Sequence, residues 1–181
     1  MSRDPLNKCP SSSSRLEFRP LSGDVEALEV ERLVSGVIEE SPYYSALAKS
    51  SEKQKYTAKH LLKLAQADPF SVLLAVDGDC PVGFCLNVVE DTLLWVSWGG
   101  VLPEYRRSGI AKCFHDLIAQ SACARGAHKI WCDCRTENEP SISLLTAFGF
   151  SKIGVVKNHW YGHDYFLWEK EVRPEREPTS N

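Results

Sequence analysis

At 181 residues, with 43% hydrophobic and 25% charged side chains, the chain can bury one substantial core and is short for two. A formal charge of −3 and a sequence pI near 6.0 argue against whole-surface attraction to nucleic acid or an anionic membrane, so any positive site must be local. No run reaches membrane-spanning length and the N-terminus has no apolar signal core, so the expectation is a cytoplasmic protein with neither nucleic acid nor membrane as partner.

Seven cysteines (Cys9, Cys80, Cys85, Cys113, Cys123, Cys132 and Cys134) make an odd set without a C-x-x-C pair, and several sit in apolar periodic segments. They read as buried thiols in a reducing compartment. Cys132 and Cys134 share one face of a strand, but no His or Cys is spaced to complete a tetrahedral set, so no metal is expected.

Residues 1–14 are polar, with two prolines and four consecutive serines, and read as a disordered tail, as do residues 173–181. The domain is expected over 15–172. A first strand runs through Leu16 and Phe18 to Pro20, and Ser22-Gly23-Asp24 caps a helix that ends near Glu40. Ser41-Pro42-Tyr43-Tyr44 makes a loop whose tyrosines either pack or face a substrate, and a second helix is predicted over 51–67. Strands follow over 71–76 and 81–89, joined by an Asp77-Gly78-Asp79 turn, and a third strand of this group over 93–102. Gly99-Gly100 interrupts that last strand; such glycines mark a bulge, here beside Trp98, or a strand parted from its neighbour so that a ligand can enter.

A basic turn, Arg106-Arg107-Ser108-Gly109-Ile110-Ala111, then opens a helix that buries Ile110, Cys113, Phe114, Leu117, Ile118 and Ala122 and stops at Gly126. A strand delivering a glycine-bearing basic turn to a helix start is a place to hold phosphates, because unpaired N–H groups and the positive dipole end point the same way. A fifth strand over 128–134 precedes a helix capped by Asn138, with Pro140 in its first turn, Ile142, Leu144, Leu145 and Phe148 buried, and Gly149 at its end. Strands over 150–156 and 165–172 close the domain around the loop that holds Trp160 and Tyr161. This order implies a mixed α/β sheet with helices on both faces.

Arg106-x-x-Gly109-x-Ala111 resembles the coenzyme A signature Q/R-x-x-G-x-G/A of the GNAT superfamily of acyl-CoA N-acyltransferases. Asn138-Glu139-Pro140-Ser141-Ile142-Ser143-Leu144-Leu145, followed by Gly149-Phe150, is similar to that family's second block. The resemblance covers roughly residues 16–172 and implies a GNAT-type sheet of about seven strands with about four helices, its fourth and fifth strands splayed. It further implies acetyl-CoA as cosubstrate, with Arg106, Arg107, Ser108, Gly109, Ile110, Ala111 and Lys112 around the pyrophosphate, Gly100 and Val101 along the pantetheine, and Asn138 hydrogen-bonding that arm as well as capping its helix.

What the resemblance implies chemically is direct transfer of an acetyl group to a primary amine, small-molecule or peptide, by a monomer or homodimer, with no covalent cysteine intermediate. The tyrosine that protonates the leaving sulfur in many relatives is Leu145 here, which has no proton to give, so Tyr161, Tyr165, His159 or a water must serve or the thiolate must leave unassisted. The expected catalytic residues are Asp133 and Tyr161. Asp133 stands where the branch that acetylates protein N-termini has a glutamate, in L-E-V-R-x-S-N; its other reading is a structural ion-pair partner. Trp160-Tyr161 resembles an aromatic pair of the same branch, with packing as the other reading. With Leu145 and Trp95 at two positions that often carry chemistry, a non-catalytic acyl-CoA-binding module is the alternative.

Overall fold

The computed structural model describes residues 16–172. The two expected tails, Cys9 and the first residue of the expected domain lie outside the described residues.

Segments with alternating apolar residues pair into a seven-stranded sheet. The strands are β1 (Glu17–Pro20), β2 (Val72–Asp77), β3 (Cys80–Glu90), β4 (Leu93–Val101), β5 (Lys129–Arg135), β6 (Ser151–Val156) and β7 (Tyr165–Glu171). The helices are α1 (Gly23–Glu40), α2 (Ala46–Lys55), α3 (Ala58–Ala67), α4 (Ile110–Ala124) and α5 (Glu139–Ala147). Sheet order is β1-β2-β3-β4-β5-β7-β6. Every neighbouring pair is antiparallel except β4 and β5, whose parallel pairing requires a crossover, supplied by α4.

The alternation of each strand separates two cores. On one face, Ile110, Phe114, Ile118 and Ala122 of α4 pack on Leu73, Ala75, Cys85, Leu94, Ile130 and Cys132. On the other, Val30, Leu33, Val34 and Ile38 of α1 and Leu61 of α3 pack on Val72, Leu74, Val76, Phe84 and Leu86. Among the described residues no helix is long and apolar enough to cross a membrane.

The β4–β5 pair is short. It runs from Leu93↔Lys129 to Val96↔Cys132 and stops, although both strands continue. At that point β4 carries a bulge: Asn87 faces Val96 and Leu86 faces Trp98, so Ser97 is the extra residue. One inserted residue inverts the alternation, so Leu94 and Val96 pack toward α4 whereas Trp98 packs toward α1. The two strands therefore part as expected, but the bulge sits at Ser97 and not at Gly99-Gly100. Gly100 is regularly paired with Phe84, and a Cβ there would meet Val37 Cγ1 at 2.6 Å and Phe84 Cε1 at 2.8 Å, so its lack of a side chain lets α1 close on the sheet.

Two other expectations change. The helix predicted over 51–67 is two helices: the Thr57 hydroxyl accepts from His60 N at 3.4 Å and starts α3, while Ser45 accepts from Ala48 N at 3.3 Å and starts α2. Leu144, expected in the core, is 39% exposed, because α5 lies on the sheet through Ile142 and Leu145.

Candidate active site

The basic turn builds the first half of the site. Arg107 takes φ 65° and Gly109 φ 89°, two left-handed residues that curl the chain into α4. Gly109 is the N-cap and offers no side chain, so the first-turn N–H groups have no capping acceptor, in contrast to α2, α3 and α5, which begin with Ser45, Thr57 and Asn138. Ile110 is 2% exposed and fixes the helix start against the sheet. The Ser108 hydroxyl donates to Tyr105 O at 2.5 Å, and Arg106 Nε donates to Val101 O at 3.2 Å. Arg106 Nη2 also lies 3.7 Å from Glu40 Oε2, so this guanidinium bridges the turn to the end of α1, while Arg107 and Lys112 stand exposed. Asn138 Oδ1 accepts from Ser141 N at 3.3 Å and caps α5.

The second half lies on the opposite face of the sheet. Cys132 and Cys134 of β5 point into the α4 core, so Asp133 and Arg135 point the other way. Asp133 Oδ2 accepts from the Trp160 indole N–H at 2.8 Å and lies 3.9 Å from His159 Nε2. Burial pushes the Asp133 carboxyl above its ordinary range; Trp160 and His159 pull it down, and the Glu52 charge pushes it up again. Glu52 of α2 was not anticipated. Its Oε2 accepts from the Trp98 indole N–H at 3.0 Å and its Oε1 from the Tyr161 hydroxyl at 2.6 Å, partners 46 and 109 residues away in the chain. Consecutive residues of the β6–β7 connection thus hold two carboxylates from different elements, Trp160 on Asp133 and Tyr161 on Glu52. Tyr161 adopts φ 54° and ψ 29° in doing so. A groove of ≈ 740 Å³ between α1 and α2 is lined by none of these residues; Tyr44 and Ala46 border it together with polar residues such as Glu31, Glu39 and Lys53.

Of the expected donor-side residues, Arg106 to Gly109 follow β4 and lead into α4, Ile110 to Lys112 form its first turn, Asn138 follows β5 and caps α5, and Gly100 admits α1 and Phe84. Asp133 and Tyr161 come together through Trp160 and Glu52. Leu145 packs on the α4-side core, as an apolar residue should. The only sequence signal for Glu52 was an acidic residue in a weakly apolar helix, which says nothing about its partners.

A parallel β4–β5 pair that ends at Val96, a helix start without a side-chain cap after β4, and aromatic side chains that hold Asp133 and Glu52 on the other face are set in one mixed α/β fold. The chain belongs to the acetyltransferase (GNAT) family, whose model matches residues 37–150. Its fold is similar to PaiA N-acetyltransferase from Thermoplasma acidophilum in complex with coenzyme A, with a TM-score of 0.72 at 18% identity over 87% of this chain and 99% of that one. Ard1 from Thermoplasma volcanium is similar with a TM-score of 0.71 at 17% identity, covering 88% of this chain and 99% of that one. The ribosomal-protein-S18-alanine N-acetyltransferase from Escherichia coli is similar with a TM-score of 0.65 at 13% identity, covering 92% and 100%. Comparison with curated protein sequences finds no match.

Proposed function

We propose that the protein transfers the acetyl group of acetyl-CoA directly to a primary amine carried by a small molecule or a peptide. The observation that carries this reading is the uncapped start of α4, set by Arg107 and Gly109, beside a gap in the sheet with Asp133 on its far side. The N–H groups of residues 107–112 would take the pyrophosphate, with Arg107 and Lys112 adding positive field. The edge of β4 beyond Val96, which β5 no longer pairs, would take the pantetheine arm, and the Asn138 side-chain amide would reach it from α5.

Acetyl transfer needs the amine neutral at the moment of attack. Asp133 would take its proton through Oδ1, since Oδ2 is engaged by Trp160, and its raised pKa makes it a better acceptor than an exposed aspartate. The Tyr161 hydroxyl donates a hydrogen bond to Glu52 and so ties the β6–β7 connection to α2. Cys85 and Cys134 are not suited to a covalent step: burial pushes the Cys85 thiol up to about 12 and the Cys134 thiol up to about 11, so neither supplies thiolate at neutral pH.

The test is release of free coenzyme A when the protein is mixed with acetyl-CoA and a panel of amines and peptides. Turnover with at least one amine is expected. Gly109→Val, whose φ of 89° a branched side chain adopts only under strain, is expected to weaken coenzyme A binding at least tenfold by calorimetry with the fold intact. Tight binding with no turnover on any amine would make the protein an acyl-CoA-binding module, and unchanged binding in the variant would remove the anion site.

A further inference from the structure

The β4–β5 ladder ends at Val96↔Cys132, so beyond that pair the spacing of the two strands depends on side chains. Glu52 of α2 supplies a link. Trp98, two residues past Val96 on β4, donates from its indole to Glu52 Oε2 at 3.0 Å, and its ring packs on Tyr44 with centroids 5.2 Å apart. Glu52 Oε1 takes the Tyr161 hydroxyl at 2.6 Å, and the adjacent Trp160 donates to Oδ2 of Asp133 at 2.8 Å, one residue past Cys132 on β5. One carboxylate thus reaches β4 directly and β5 through two consecutive residues of the β6–β7 connection.

That connection can transmit the tie because its own backbone is bonded. His159 N donates to His163 O at 2.8 Å, His163 N to Trp160 O at 3.2 Å, and Asn158 N to the Asp164 carboxylate at 2.9 Å. Trp160 is 50% exposed, so burial does little to fix its ring. Tyr161 sits at φ 54° and ψ 29°, a left-handed conformation that a tyrosine keeps only when its surroundings impose it, and the bond to Glu52 anchors its side chain. The charged and titratable groups that face Asp133 are Glu52 and Lys55 from α2, His159 from the β6–β7 connection, Tyr44 from the α1–α2 connection and Tyr165 of β7.

We infer that Glu52 is a positioning residue for the transfer: through Tyr161 and Trp160 it holds Asp133 by Oδ2 and leaves Oδ1 for the acceptor amine. The inference rests on the acetyl-transfer reading. Glu52 touches no reacting atom and takes no proton in this role. A glutamine could keep the tie without the charge, because its oxygen accepts from Trp98, which only donates, and its amide N–H donates to the Tyr161 oxygen. An alanine could not.

The test compares Glu52→Gln, Glu52→Ala, Tyr161→Phe and the Glu52→Ala/Tyr161→Phe double variant, each checked for folding by circular dichroism. Glu52→Ala and Tyr161→Phe are expected to lower kcat about 10²-fold, the cost of misplacing a reacting group by about 1 Å, and Glu52→Gln less than about tenfold, with the acetyl-CoA KM within about threefold throughout. The double variant is expected to lose no more than the worse single one, since both break the same link. The Asp133 carboxyl, followed by carbon-13 NMR and assigned with Asp133→Asn, gives a readout without turnover. Trp160 favours the ionised carboxylate and the Glu52 charge opposes it. Tyr161→Phe loosens Trp160 and keeps the charge, so the titration and the acidic limb of the rate profile are expected to move to higher pH. In Glu52→Gln both are expected to move to lower pH. These two variants decide the matter even if Glu52→Ala does not fold. An unmoved Asp133 titration in Tyr161→Phe, losses that add in the double variant, or a loss in Glu52→Gln as deep as that in Glu52→Ala would overturn the inference. Opposite NMR shifts in a protein whose parent form turns over no amine would leave the tie from Glu52 to Asp133 standing and defeat the acetyl-transfer reading.

Discussion

Asp133 carries a conflict that can be measured. Burial disfavours its ionised form, Trp160 and His159 favour it, and the Glu52 charge opposes it, with the balance toward a raised pKa. The folded protein thus holds the Asp133 proton more tightly than the unfolded chain does. Ionisation costs folding stability; that cost is absent below the ordinary value of 3.8 and fully present above the raised folded value. Asp133→Asn keeps an oxygen for the Trp160 indole and removes the charge. It is expected to raise Tm at pH 7 to 8, with the gain shrinking as pH falls toward 3.8, while kcat drops between about 10²- and 10⁴-fold and the acidic limb of the rate profile disappears. Thermal melts and pH–rate profiles of the two proteins check both halves. An Asp133 that served only as an ion-pair partner would give the opposite sign in the melts.

At the scale of single elements, β4 shows how two adjacent glycines can differ. A Cβ at Gly99 would meet nothing nearer than Phe84 O at 3.7 Å, whereas one at Gly100 would run into Val37 and Phe84. Gly100→Ala is expected to cost about 1–3 kcal/mol through overpacking, and Gly99→Ala less than about 0.5 kcal/mol, in urea unfolding. The strand itself was legible from its apolar run, and so were the basic turn, the helix after it and the side of β5 on which Asp133 lies, because each depends on neighbours in sequence. The bulge was not: Ser97 is the extra residue because of its register with β3, which no local pattern encodes. The break between α2 and α3 was missed for a related reason. α2 buries only Ala48, so it has almost no apolar periodicity, and the Thr57 cap falls inside the helix predicted over 51–67. Glu52 and Tyr44 gain meaning only when α2 and its approach fold over β4, which lies about 50 residues further along the chain.

Over the whole molecule, the sheet separates two cores, and its central pair is deliberately incomplete, so something else must keep α4 in register with the helices on the far face. Arg125, at the C-cap of α4, does this. Its Nε donates to Asp68 Oδ2 at 2.8 Å and its Nη1 to Asn87 Oδ1 at 2.7 Å, while Asn87 Nδ2 donates to Phe70 O at 2.8 Å. Asp68 ends α3 on the opposite face and Asn87 belongs to β3, so one planar guanidinium ties both layers to the sheet. Asn87 is 1% exposed, and without Arg125 its side-chain oxygen would be buried without a partner. Arg125→Ala is therefore expected to cost about 2–3 kcal/mol, which lowers Tm by about 4–12 °C in a domain of this size. Arg125→Lys keeps the charge but cannot fork between Asp68 and Asn87, so it should recover less than half of the loss. Because the uncapped end of α4 lies at the other end of the helix, coenzyme A affinity below the transition should stay within threefold in both variants. A large loss of affinity with little loss of stability would mean that Arg125 positions the donor-binding turn through the helix and does not chiefly clamp the two layers.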